Sequence, residues 1–167
     1  MLKLIAFDFG HTLVHERAGA DIPLERRPIH LMPDVADTLA AITLPMAVWA
    51  NTRVEGQDYV RRWLSRAGID DYFSHIVTSA EAGVRKPARG FFEFALAQCG
   101  VSPGDVLFVG NQRNTDIRGG VDVGIRTVWL SGSEYHSEDD DSPVDVTPTF
   151  TITRLNELPS LLQSVGW

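Results

Sequence analysis

The sequence predicts an α/β protein: a three-layer, Rossmann-like sandwich with a central, mainly parallel sheet and helices on both faces. Two observations carry that prediction. The runs Leu4–Phe7, Met46–Ala50, Val106–Val109 and Thr127–Leu130 are almost wholly apolar, and the first three stop at a polar turn. Strands buried on both faces of a parallel sheet read this way. Between the strands lie segments with apolar residues at helical spacing, and such alternation closes by right-handed crossovers. Residues 1–167 read as one domain, long enough for a full core.

Residues 2–8 form the first strand, which ends abruptly at Asp8 and a turn holding Gly10, His11 and Thr12. From 14 to 32 no period is clean; Pro23, Pro28 and the charged run Glu25-Arg26-Arg27 read as a loop or short excursion. Pro33 starts a helix through about Ile42, with Val35, Leu39 and Ile42 on one face. Met46–Ala50 is the second strand, followed by Asn51-Thr52-Arg53. From Glu55 to about Ala67 an amphipathic helix shows Tyr59, Val60, Trp63 and Leu64 as its inner stripe, with Gly68 after its last turn. A short strand lies within Tyr72–Thr78. The helix Ala88–Gln98 carries Phe91, Phe92, Ala95 and Leu96 on its apolar side and is stopped by Gly100. Val106–Val109 leads into the turn Gly110–Asn114 and a short helix from about Thr115 to Val123. After Thr127–Leu130, residues 131–148 are polar, with four acids from Glu138 to Asp141, and read as a solvated loop. Phe150–Ile152 is expected at a sheet edge, and Leu155–Leu162 is a closing helix. Neither an internal repeat nor a linker divides the chain.

Composition narrows the function classes. Hydrophobic residues make up 44% and charged residues 22%, with a net charge of −7. An acidic chain does not carry the footprint of a nucleic-acid binder or a polybasic membrane patch. Lys3 and Lys86 are the only lysines, so any chemistry needing an amine has two candidates. The single cysteine, Cys99, excludes an intrachain disulfide; on an apolar helix face it reads as a structural thiol. No apolar run reaches membrane-spanning length, and Asp8 interrupts the first one, so the N-terminus lacks a signal-peptide pattern. The expected setting is the cytoplasm.

In a parallel sheet, ligands bind beyond the carboxyl ends of the strands. Asp8 and Thr12 follow strand one, Asn51 and Thr52 follow strand two, and Asn111 and Asp116 follow the strand at 106–109, while Lys86-Pro87 precedes the Phe-rich helix. Taken alone, Asp8 reads first as a turn or N-cap aspartate. Together, a carboxylate nucleophile, a lysine to offset negative charge and a carboxylate for a divalent cation form a workable phosphoryl-transfer set.

These residues resemble the motifs of the haloacid dehalogenase (HAD) superfamily, in order and along nearly the whole chain. The first motif, Asp-x-Asp-Gly-Thr after a strand, corresponds to Asp8-Phe9-Gly10-His11-Thr12. A Thr or Ser, usually followed by Asn, corresponds to Ala50-Asn51, and the lysine motif to Lys86-Pro87. The fourth, Gly-Asp-x-x-x-x-Asp, corresponds to Gly110-Asn111 through Asp116. The resemblance implies a hydrolase with Asp8 as nucleophile, forming an aspartyl-phosphate. Lys86 would neutralise charge on the phosphoryl group, with Asn51 and Thr52 beside it as phosphate-binding residues. Mg²⁺ would be held by Asp8, the Gly10 backbone carbonyl, Asn111 and Asp116.

The chain departs from the pattern where the chemistry lies. Gly10 stands in place of the family's second aspartate, the general acid and base, whose help is typically worth about 10²–10⁴-fold. Ala50 lacks the hydroxyl that meets the phosphoryl group, and Asn111 removes a charge from the metal site. His11, next to the lost acid, is the candidate replacement, and Thr52 is the candidate source of the lost hydroxyl. His30, His75 and His136 lack metal-ligand spacing.

Some 36 residues separate Leu13 from Ala50, too few for a helical cap beyond the fold's own helix. Asn51 to Lys86 is likewise short. The chain therefore resembles capless members, whose open sites take small phosphorylated molecules or phosphorylated macromolecules. Three readings stand: a capless phosphate-ester hydrolase weakened by Gly10, a non-catalytic protein that binds a phosphorylated ligand or a protein partner, and a metal-independent dehalogenase-like hydrolase.

Overall fold

The structure, a computed structural model, describes residues 1–15, 26, 28–133 and 145–167. The irregular stretch around Pro23 and the acidic run Glu138–Asp141 lie outside them. Six parallel strands form one sheet in the order β3-β2-β1-β4-β5-β6. They are β1 Leu4–Phe7, β2 Met46–Ala50, β3 Phe73–Thr78, β4 Val106–Gly110, β5 Arg126–Leu130 and β6 Phe150–Ile152. The helices are α1 Val35–Ala41, α2 Gln57–Ala67, α3 Ser79–Ala82, α4 Arg89–Cys99, α5 Arg118–Asp122 and α6 Leu158–Ser164. The predicted edge position of 150–152 is observed: among the described residues β6 pairs with β5 alone.

Side chains alternate across each strand, so the sheet divides the core in two. Ile5, Phe7 and Val48 pack with α1, α2 and α6 through Leu39, Trp63, Leu64 and Leu158. Leu4, Ala6, Ala47 and Trp49 face the other side and meet Phe91, Phe92 and Phe108. Trp49 and Phe108 ring centroids are 5.3 Å apart, and Phe92 stands edge-on to both. These layers are the predicted sandwich. Among the described residues no helix is long and apolar enough to cross a membrane.

Among the elements that differ from the sequence reading, which include the unexpected α3, two have a clear local cause. The first helix begins at Val35 rather than Pro33, because Asp34 adopts a left-handed conformation (φ 66°). Its carboxylate is gripped by the Arg154 guanidinium at 2.9 and 3.1 Å. The helix expected from Thr115 is two elements: a wide π turn over Arg113–Ile117, then α5. The Ile117 N–H reaches back five residues to the Gln112 carbonyl, as the Asp116 N–H reaches back four. Such π turns concentrate at functional sites.

Candidate active site

The strand order reverses between β1 and β4, both of which neighbour each other in mid-sheet. At such a switch point the loops beyond the carboxyl ends part and leave a crevice. Phe7 is in register with Val109, and the Asp8 N–H donates to the Val109 carbonyl at 2.8 Å. The backbone pairing thus fixes Asp8 beside Gly110 at the sheet edge.

Lys86 arrives from the α3–α4 connection. Its ammonium donates to Asp8 Oδ1 at 2.7 Å, Asp116 Oδ1 at 2.8 Å and the Trp49 carbonyl at 2.9 Å. All three donors of the ammonium are therefore used, and its side chain is 1% exposed. Thr12 Oγ1 lies 3.2 Å from Asp8 Oδ2 and 3.3 Å from Asn111 Oδ1, so one proton is shared between them. Asn111 Nδ2 donates to Ser133 Oγ, which donates to the His11 carbonyl. Asp116 is returned to the site by the π turn, and its Oδ2 accepts the Gln112 N–H at 3.0 Å.

The charges are strongly coupled. Burial alone would lower the Lys86 ammonium, but the Asp116 and Asp8 carboxylates outweigh it and raise it above the ordinary lysine value. Burial and the Asp8 charge push Asp116 up to about 6, against the pull of Lys86 and the Gln112 N–H. His11 moves the other way: burial and the neighbouring His15 hold it below its usual value, with Asp8 opposing. Its ring meets His15 edge-on, with centroids 6.4 Å apart.

The site residues read from the sequence fall into two groups. Asp8, Lys86, Asn111 and Asp116 converge, with Thr12 joining Asp8 to Asn111. Asn51 is adjacent but differently engaged: Nδ2 donates to the Lys86 carbonyl at 3.0 Å, and Oδ1 accepts the Lys86 N–H at 2.8 Å. Both ends of its amide thus hold the lysine backbone. Thr52 Oγ1 is buried without a hydrogen-bond partner among the described residues, while the Thr52 N–H and carbonyl are clamped by Ser79 Oγ at 2.9 Å each. At the first turn the left-handed residue is His11 (φ 58°) rather than Gly10. Trp49 is core, and the Arg113 guanidinium lies over Trp129 and donates to the Val146 carbonyl.

Sequence reasoning missed Ser79, Glu81 and Ser133. For the first two a signal existed: Thr78-Ser79-Ala80-Glu81 has the Ser/Thr-x-x-Glu spacing of a capping box. The box forms, and Glu81 Oε1 also accepts the Gln57 N–H at the start of α2. Ser133 carries no local signal. A cavity of about 260 Å³ lies behind Thr12 and Ser133, walled by Met32, Leu130 and Leu155; it neighbours the carboxylate site without containing it.

A divalent cation here would meet only oxygen donors: Asp8, the Gly10 carbonyl, Asn111 Oδ1 and Asp116. Hard oxygens suit Mg²⁺, which commonly needs one or two carboxylates and completes its shell with water and phosphate. The set fits in kind but is thin in charge. Lys86 already engages one oxygen of each carboxylate, and among the described residues no three His, Cys, Asp or Glu side chains gather as a metal cage.

A parallel sandwich with an aspartate–lysine pair at the switch point defines a class: doubly wound α/β proteins that present a carboxylate at the carboxyl edge of the sheet. The comparisons fix which. The haloacid dehalogenase-like hydrolase family matches residues 2–124, and the chain belongs to that family. The chain is similar to pyrimidine 5'-nucleotidase YjjG of Escherichia coli, 41% identical over 100 residues, covering 59% of this chain and 42% of that one. Similarity to glyceraldehyde 3-phosphate phosphatase of Methanocaldococcus jannaschii is 30% over 108 residues, 64% of this chain and 46% of the other. The chain thus spans less than half the length of these relatives. Among solved structures, an uncharacterized protein from Listeria monocytogenes superposes with a TM-score of 0.83 at 27% identity, covering 98% of both chains. YfnB of Bacillus subtilis, solved bound to magnesium, shares the fold at a TM-score of 0.76 and 14% identity, over 96% of this chain and 98% of that one.

Proposed function

We propose that the chain hydrolyses phosphate monoesters through a phosphoryl group carried on Asp8. The observation that carries this reading is the Lys86 ammonium, 2.7 Å from Asp8 Oδ1. It leaves Oδ2, opposite Thr12, as the attacking oxygen. Lys86 offsets charge on the phosphoryl oxygens as they approach. Thr52, whose backbone Ser79 Oγ fixes, is the residue we assign to the hydroxyl contact that Ala50 cannot make. Asn51 acts on phosphate through Lys86, whose backbone it holds. Mg²⁺, held by Asp8, the Gly10 carbonyl, Asn111 and Asp116, supplies positive charge to the phosphoryl oxygens when bound. His11, held below its usual value, is neutral at pH 7 and suited to accepting a proton from water rather than giving one. The names of the relatives support phosphate esters as the substrate class.

The finer features of the reading are an open, capless site, a small phosphorylated molecule or phosphorylated macromolecule as substrate, and a cytoplasmic setting. One observation favours a second reading, a non-catalytic binder of a phosphorylated ligand: Gly10 and Ala50 together remove an acid and a hydroxyl from the site.

Hydrolysis of an aryl phosphate with and without Mg²⁺, beside Asp8→Asn, separates the two. Release that requires Mg²⁺ and vanishes in the variant supports the hydrolase. No release, together with Lys86-dependent binding of inorganic phosphate by calorimetry, establishes the binder.

A further inference from the structure

Helix α3 is a single turn between β3 and the lysine segment. Its capping box fixes where its side chains point, because the Glu81 carboxylate accepts both the Thr78 N–H and the Thr78 hydroxyl. Ser79 and Glu81 then reach the loop between β2 and α2 at its two ends. Ser79 Oγ takes Thr52 at the start, and Glu81 Oε1 accepts the Gln57 N–H at 2.7 Å at the finish. Gly56 leaves room for the second contact, since a Cβ there would collide with Glu81 Oε1.

The Ser79 contact does more than attach the loop. Its buried hydroxyl accepts the Thr52 N–H and donates to the Thr52 carbonyl, each at 2.9 Å. The direction of a residue's N–H follows φ and that of its carbonyl follows ψ, the two soft angles of the backbone. One hydroxyl therefore fixes both angles of Thr52, and with them the path of the chain as it leaves β2. The same carbonyl also accepts the Arg85 guanidinium, which a second lone pair allows. On the other side of the turn, Asn51 holds the Lys86 N–H and carbonyl. The turn thus grips the lysine segment through Asn51, and that segment grips the turn through Ser79 and Arg85. The Lys86 ammonium reaches Asp8 from within this closed circuit of hydrogen bonds.

We infer that Ser79 and Arg85 are positioning residues for phosphoryl transfer: they lock the turn after β2 to the lysine segment, so that Asn51, Thr52 and Lys86 meet a phosphoryl group as one rigid cradle. The inference rests on the proposed hydrolysis at Asp8. Both residues act through Thr52 rather than on the reacting atoms. A cradle set in advance needs no reordering as substrate arrives, whereas a misplacement of about 1 Å can cost about 10²-fold in rate.

The test measures nitrophenyl phosphate hydrolysis with Mg²⁺ by the full chain and by Ser79→Ala, Ser79→Thr and Arg85→Met, beside urea unfolding of each. Ser79→Ala removes donor and acceptor together and should lower kcat by about tenfold or more, as misplacement does. KM should change by less than about threefold, because the Lys86 charge that attracts phosphate is retained. Ser79→Thr keeps the hydroxyl and should hold kcat within about threefold of the parent chain. Arg85 is exposed, so Arg85→Met tests the same lock even where Ser79→Ala fails to fold; it should lower kcat by a smaller factor. Loss of stability alone leaves the kcat of folded molecules unchanged. Unchanged kcat in Arg85→Met, or in a folded Ser79→Ala, would overturn the inference and leave Asp8 hydrolysis standing. Equal loss in Ser79→Ala and Ser79→Thr would overturn it too, since the hydroxyl would then not be the group that acts. No release of nitrophenol by the parent chain would overturn the proposed hydrolysis and this inference together.

Discussion

Asn51 and Lys86, 35 residues apart, hold each other by two opposed hydrogen bonds, amide to carbonyl at 3.0 Å and backbone N–H to amide oxygen at 2.8 Å. The carboxyl end of β2 thus sets where the lysine backbone sits before its side chain reaches Asp8. Asn51→Ala leaves the Lys86 N–H and carbonyl half-buried without these partners, a cost of about 1–3 kcal/mol. The expected outcome is that loss in urea unfolding, with phosphoryl transfer to Asp8 slowed tenfold or more. Unchanged kinetics in a destabilised variant would show that the pair serves stability alone.

Removing the ammonium itself is more costly. Lys86→Met strands the buried carboxylates of Asp8 and Asp116, and breaking a buried ion pair from one side costs roughly 3–5 kcal/mol. Adding Asp116→Asn to Lys86→Met removes one of the stranded charges and should recover part of that stability. Activity should not return with it, because the charge that offsets the phosphoryl group is still missing. Paired unfolding and phosphorylation assays on the single and double variants read the two effects separately.

The Asp116 carboxyl, raised to about 6 from an ordinary 3.8, makes stability depend on pH in a defined direction. Between those values the folded state binds the proton that the unfolded state has lost. The contribution is therefore largest at low pH and is lost as pH rises from about 4 through about 6. A gap of about two pH units corresponds to roughly 3 kcal/mol. Lys86, raised above its ordinary value, contributes below that value and loses its contribution as pH rises through the folded one. Asn mimics the protonated carboxyl, so urea midpoints of the chain and of Asp116→Asn should lie closest near pH 4 and separate as pH rises to 7. Parallel curves would mean that Asp116 stays ionised throughout.

Most of the architecture was legible because the strands advertise themselves. Ile5, Phe7, Val48 and Val109 lie in unbroken apolar runs, and the polar turns that follow mark the carboxyl edge. Asp8, Lys86, Asn111 and Asp116 could be read as one site for the same reason: each follows a strand or precedes a helix at that edge. Partner choice was not legible. Nothing in the sequence distinguishes an Asn51 amide aimed at phosphate from one that holds the Lys86 backbone, because both need the same residue in the same turn. The π turn at Arg113–Ile117 was equally hidden, since a helical period cannot show the extra residue that swings Asp116 inward.

That inward swing depends on Gly110. A Cβ there would lie 2.5 Å from Asp116 Cβ and Oδ2 and 2.6 Å from Cγ, closer than any real contact. Asp116 has little freedom to yield, since its two oxygens are held by the Lys86 ammonium and the Gln112 N–H. Gly110→Ala should therefore cost about 1–3 kcal/mol as an overpacked site. More tellingly, it should push Asp116 off Lys86 and erase the pH dependence between 4 and 6 without altering any charged residue. Gly120→Ala is the matched control: its Cβ would lie 2.7 Å from Thr127 Cγ2, straining the packing of α5 against β5. It should lower stability at every pH and keep the slope. If both variants keep the slope, the Gly110–Asp116 contact does not govern how the buried carboxylate is held.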